Sequence, residues 1–215
     1  MKWIVRFFVS LIILLSVFGF YQIKRTQSQN TPRSKFKASI VDQGSKSVPN
    51  GPKPTDTLHP ELRRQASKLG FEFDSIDTEA PEIRLTTLDN SSIHLSKYRG
   101  KWLILNFWAS WCPPCREEMS SFETLRNQLN PAHFVVRPIN VMESRTTVKS
   151  FLSQHDLSLP ILLDQKGKTS DKFRVEGLPV TWVITPKGQP IMKLQGKRDW
   201  HRGKLYEFLK RLPKL

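Results

Sequence analysis

The chain holds two cysteines in all, three positions apart in Trp111-Cys112-Pro113-Pro114-Cys115. In disulfide exchange the thiolate is the attacking species, and a cysteine at a helix N-terminus has that anion stabilised by the helix dipole and by free backbone N–H groups. A helix beginning at Pro113 puts Cys112 at that position. Cys115 then falls on the same face of the first turn, able to attack a mixed disulfide formed at Cys112 and release the substrate. The pair reads as a redox-active dithiol/disulfide, with Cys112 attacking and Cys115 resolving. Pro113 and Pro114 remove two backbone donors and restrict the turn, which alters the hydrogen bonding of the thiolate and so its redox poise.

Other chemistries are open to a Cys-x-x-Cys pair. A structural zinc site needs two more ligands, and His94, His133, His155 and His201 are scattered without ligand spacing. Two inert buried thiols would not account for a strand-to-helix location. A Cu(I)-binding or assembly protein is the better metal alternative, because Cu(I) is content with two soft thiolates. A peroxide-reactive thiol is a third reading. Under exchange chemistry the dithiol is its own redox centre, so neither a cofactor nor a metal is expected.

The elements that must position the pair are legible around it. Lys101 to Trp108 is a near-continuous apolar run, the mark of a central strand buried on both faces. Pro113 to Leu129 follows as a helix, proline being tolerated in its first turn, with Met119, Phe122, Leu125 and Leu129 spaced along one apolar face. Before the central strand, Ile83, Leu85 and Leu88, then Ile93 and Leu95, flank Asp89-Asn90 and predict a hairpin. After it come strands at 133–141 and 161–163 with a helix at 146–155 between them. Strands at 180–185 and 191–195 join through Pro186-Lys187-Gly188, and a helix closes at 201–212. A βαβ unit followed by an antiparallel hairpin implies an α/β fold with a mixed central sheet.

The N-terminal third has another character. Residues 7–23 form a run of 17 without a charge, set between Lys2 and Arg6 on one side and Lys24 and Arg25 on the other. It reads as an uncleaved membrane anchor, reaching about 25 Å at 1.5 Å per residue, with Trp3 and Tyr21 at the interfaces. Val17-Phe18-Gly19 is a poor signal-cleavage site. Residues 24–57, rich in Ser, Thr, Asn, Gln, Lys and Pro, read as a disordered basic tether. A short helical lead-in is expected over 58–79, and the folded domain over 80–215. Net charge is +15, and residues 1–70 hold 12 basic and 3 acidic side chains, so +9 of it lies largely outside the domain. With no short basic block interleaved with aromatics, nucleic acid is not an expected partner.

From about Ala80 onward the sequence resembles the membrane-anchored thioredoxin-like proteins of the ResA and TlpA type, which include reductases of cytochrome c maturation. The resemblance is carried by Ala80-Pro81, Leu95-Ser96-Lys97-Tyr98-Arg99-Gly100-Lys101, the run Leu105 to Met119 through the cysteines, and Gly177-Leu178-Pro179-Val180-Thr181-Trp182-Val183-Ile184. It implies a thioredoxin-like fold with an N-terminal β-hairpin extension, behind a transmembrane helix and tether. It further implies a cis peptide bond at Pro179 facing the cysteines, with the Leu178 backbone available to a substrate segment. Trp111, Pro113, Leu178 and Pro179 are then the candidate substrate-binding residues. Glu118 matches the acidic residue such proteins hold behind the active site, and its i+3 spacing from Cys115 independently puts both on one helical face. Buried there, its carboxyl would have a raised pKa and could exchange a proton with Cys115. Asn106 stands where ordinary thioredoxins carry a buried aspartate, which leaves proton handling to Glu118.

The positive-inside count alone favours a cytoplasmic domain, but long domains translocate largely regardless of charge. The resemblance implies an extracytoplasmic, periplasmic-side domain on a single-pass anchor in the inner, cytoplasmic membrane. The implied partners are a protein substrate with a disulfide, a membrane electron donor that keeps the dithiol reduced, and the lipid bilayer through residues 7–23.

Overall fold

A computed structural model describes residues 58–74 and 83–214. The anchor over 7–23, the tether over 24–57 and Ala80-Pro81 lie outside the described residues. Among the described residues no helix is long and apolar enough to cross a membrane.

The sheet grows outward from the apolar run read as its centre. Strand β3 (Trp102–Trp108) is buried at every residue and pairs in parallel with β4 (Phe134–Val141). On its other side it pairs antiparallel with β6 (Val180–Ile184). Strand β5 (Leu162–Asp164) extends the parallel part from β4, and β7 (Pro190–Gln195) lies antiparallel to β6. The hairpin of β1 (Arg84–Thr87) and β2 (Ser92–His94) turns at Asn90, whose φ of 70° suits a tight turn. β1 joins the sheet antiparallel to β5. The order is β2-β1-β5-β4-β3-β6-β7, a mixed seven-stranded sheet.

Period-two alternation along β3 separates two cores. Trp102, Ile104 and Trp108 face a cluster built with Leu62 and Ala66 of α1 (Pro60–Lys68), Met119, Phe122 and Leu125 of α2 (Pro113–Gln128), Val148 and Phe151 of α3 (Arg145–Gln154), and Phe208 of α5 (Gly203–Arg211). Leu103, Leu105 and Phe107 face a second cluster with Leu95 and Tyr98 of a 3-10 turn, Phe173 and Trp182. Asn106, between Ile104 and Trp108, thus falls on the helix face. That parity decides its role.

The lead-in is docked onto the domain. His59 accepts the Glu61 N–H at 3.4 Å at the start of α1, and Glu72 exchanges two backbone hydrogen bonds of 2.9 Å with Lys193 on the β7 edge. The Phe71 ring lies 5.7 Å from that of Phe208. Two differences from the sequence reading have local causes. The closing helix begins at Gly203, because Arg202 before it is fully extended at φ −153°. A short helix α4 (Lys168–Lys172) went unread because it has no apolar period; the Asp164 carboxylate nucleates it by accepting the Thr169 and Ser170 N–H groups at 3.0 and 2.7 Å.

Phe208 is fully buried and holds both the closing helix and the lead-in. Phe208→Ala is expected to lower folding free energy by about 3–5 kcal/mol in urea unfolding, and a loss below about 1 kcal/mol would mean that this junction is not packed as described.

Candidate active site

Strand β3 ends at Trp108, and the chain crosses the top of the sheet as Ala109-Ser110-Trp111 before α2 begins. Cys112 is the N-cap residue of α2, extended at φ −89°, ψ 107°. Its N–H reaches Ala109 O at 3.2 Å, and its sulfur accepts the Cys115 N–H at 3.3 Å. Cys112 and Cys115 are joined in a disulfide with Cα atoms 5.3 Å apart. Cys112 keeps 4% exposure and Cys115 none, so of the two residues only Cys112 retains contact with solvent. Pro113 and Pro114 are exposed on the first turn, and Trp111 beside them is 66% exposed.

One turn further into the protein is Glu118, 1% exposed and fixed by the α2 rise on the same face as Cys115. Its carboxylate has three donors from two parts of the chain. Asn106 Nδ2 of β3 reaches Oε1 at 2.8 Å, while the Arg198 N–H and Trp200 Nε1 reach Oε2 at 3.2 and 3.1 Å. Burial pushes the Glu118 pKa up to about 7, against the downward pull of the bonds from Trp200, Arg198 and Asn106.

Asn106 Nδ2 also donates to Thr181 Oγ1 at 3.1 Å, whereas Asn106 Oδ1 is buried without a partner. A half-turn of this amide would present Oδ1 to a protonated Glu118, so the same side chain can serve both charge states.

The Leu178-Pro179 peptide bond is cis. Val180 stands opposite Phe107, and one further step of that register sets Pro179 level with Trp108, four residues short of Cys112. Pro179 is buried and Leu178 half-buried; the Pro179 carbonyl accepts the Gly196 N–H at 2.8 Å. The fold thus gathers Trp111, Cys112, Pro113, Cys115, Glu118, Leu178 and Pro179 at one end of β3, β6 and α2.

Sequence reasoning passed over three members of this site. Trp200 and Arg198 lie some 80 residues from Glu118 in the chain, with no local pattern to signal them. Glu143 ends the turn after β4, where it receives the Ser110 N–H at 2.7 Å, the Ser110 hydroxyl, and Asn140 Nδ2 at 2.6 Å. In sequence it looks like an acidic residue ahead of the Ser144 cap of α3. Among the described residues no group of three or more His, Cys, Asp or Glu is placed to hold a metal ion.

Residues 76–189 match the model of the AhpC/TSA family. The chain belongs to that family. It is 31% identical over 137 residues to the thiol-disulfide oxidoreductase ResA of Bacillus thuringiensis subsp. konkukian, covering 64% of this chain and 78% of that one. It is 37% identical over 112 residues to the thioredoxin-like protein YneN of Bacillus subtilis, over 51% of this chain and 65% of that one. A thiol:disulfide interchange protein of the thioredoxin family from Chlorobium tepidum has a similar crystal structure, with a TM-score of 0.53 and 26% identity, over 61% of this chain and 96% of that one. This AhpC/TSA member is a thiol-disulfide oxidoreductase of thioredoxin-like fold, as the resemblance implied.

The raised carboxyl has a stability signature. Below about pH 4.5 Glu118 is protonated folded or unfolded. Between about 4.5 and 7 the unfolded chain ionises while the folded one holds its proton, so stability falls as pH rises through that window, by at most about 3 kcal/mol. Glu118→Gln removes this dependence. Its stability relative to the parent should climb by about 1–3 kcal/mol between pH 4.5 and pH 8 in urea unfolding; a flat difference would contradict the raised carboxyl.

Proposed function

We propose that the chain is a membrane-tethered reductase of protein disulfides, cycling Cys112 and Cys115 between dithiol and disulfide. One observation carries this reading: a helix N-cap cysteine that keeps a little exposure is bonded to a fully buried one that shares its helical face with a buried carboxyl. In the reduced protein the Cys112 thiolate attacks a substrate disulfide. The substrate S–S bond breaks, one substrate sulfur leaves as a thiolate that takes up a proton, and a mixed disulfide forms at Cys112. Cys115 gives its proton to Glu118 and attacks the Cys112 sulfur. The Cys112–Cys115 bond forms as the second substrate sulfur leaves and is protonated.

One substrate disulfide becomes two thiols, and the protein dithiol becomes a disulfide. Two electrons and two protons must then return from a donor, which for a tethered domain is a membrane electron-transfer protein. A Glu118 pKa near neutrality supports the resolving step, because a carboxylate poised there accepts a proton from Cys115 without holding it permanently.

The apolar run over 7–23 and the polar tether behind it support a single-pass anchor in the cytoplasmic membrane, and the likeness to ResA-type oxidoreductases supports an extracytoplasmic catalytic domain. The substrate class is a disulfide in an extended polypeptide, such as the haem-binding motif of an apocytochrome c.

Cys112→Ser should abolish disulfide reduction, and Cys115→Ser should accumulate mixed disulfides with partner proteins in its native membrane, visible as bands lost on reduction. Absence of any trapped partner in the Cys115→Ser protein would sink the mechanism. On spheroplasts, added protease should cleave the domain; full protection would place it on the cytoplasmic side.

A further inference from the structure

Among the described residues two large hydrophobic side chains stand exposed, Trp111 at 66% and Met142 at 69%. They lie 31 positions apart in sequence, yet both follow the same end of the sheet's central strands. β3 and β4 are parallel neighbours with Trp108 opposite Asn140, about 5 Å apart across the pair. Two residues beyond Trp108 and three beyond Asn140, the loops are tied together. Glu143 receives both the N–H and the hydroxyl of Ser110, and the same carboxylate receives Asn140 Nδ2. Trp111 follows one end of this contact and Met142 precedes the other.

Met142 is held in place. Its N–H donates to Asp164 O at 3.0 Å, and its φ of 60° is a left-handed conformation that a long side chain seldom adopts. A Cβ on Gly167 would stand 3.4 Å from its sulfur, so the thioether packs beside Gly167. Covering Met142 and Trp111 together with an apolar partner would remove both from water.

The reaction dictates what covers it. In a mixed disulfide the two linked Cα atoms stand about 4.4–6.8 Å apart, so the substrate residues beside its cysteine must cross the surface around Cys112. We propose that Trp111 and Met142, held in register by Glu143, form a two-sided apolar rim. It grips the side chains flanking the substrate cysteine and so selects disulfides in extended segments with apolar neighbours. This inference rests on the reductase reading and adds Met142 to it as a specificity residue.

The test uses the full chain, reduced, with two synthetic peptides. Each carries one intramolecular Cys-x-x-Cys disulfide, flanked by leucines in one and by serines in the other. The second-order rate constant should favour the leucine peptide about tenfold. Met142→Ser should cut that preference about fivefold, while Met142→Leu keeps it. Glu143→Gln can retain all three contacts, with its oxygen toward the Ser110 N–H, and should keep the preference; Glu143→Ala should lose it. Equal rates in the parent protein, or an undiminished preference in Met142→Ser, would overturn the rim and leave the reductase reading standing. Reduction of neither peptide would overturn both.

Discussion

The structure turns on one buried carboxyl. Glu118 sits on a helix whose inward face is apolar apart from Ser121, and taking a carboxylate out of water is costly unless its oxygens are satisfied. Three donors satisfy them, from the centre of β3, from the Arg198 backbone and from the Trp200 ring. The Ser121 hydroxyl, which donates to Glu118 O at 2.8 Å, closes the arrangement by receiving the Trp200 N–H at 3.4 Å. Helix α2, the sheet and the segment leading to α5 are therefore locked around a group that could have been another leucine if packing alone mattered. The desolvation that remains after these bonds raises the carboxyl pKa toward neutrality, where a proton can pass in either direction.

The disulfide inherits its asymmetry from the same packing. Because α2 is pressed onto the sheet through Met119, Phe122 and Leu125, Cys115 is drawn fully inside, and Cys112 stays at the cap with 4% exposure. Two chemically identical side chains are thereby assigned different positions in the proposed cycle by burial alone. On the outer side, Glu143 does for the loops what Glu118 does for the helix. It is a carboxylate receiving donors from two strand ends, and it fixes Ser110 two residues ahead of the attacking sulfur.

Much of this was readable because it is local. The all-apolar β3, the helix starting at Pro113 and the i+3 spacing of Cys115 and Glu118 follow from period and chemistry over a few residues. The Asp89-Asn90 turn announced its hairpin in the same way. What escaped depends on tertiary proximity. Trp200 looks like a lone aromatic before a helix, the bond from Asn106 to Glu118 depends on strand parity although Asn106 itself was legible, and Glu143 resembles an ordinary residue near a helix start. Helix α4 escaped because its stability comes from the Asp164 side chain and not from an apolar stripe.

The account's central claim is that Glu118 carries a titratable proton behind the disulfide at working pH. Infrared titration of the carboxyl stretch, with Glu118→Gln as the subtraction reference, measures it directly. The account predicts a protonated carboxyl band, absent from the variant, that disappears with a midpoint near pH 7. A band gone by about pH 5, as for a solvated glutamate, would contradict it.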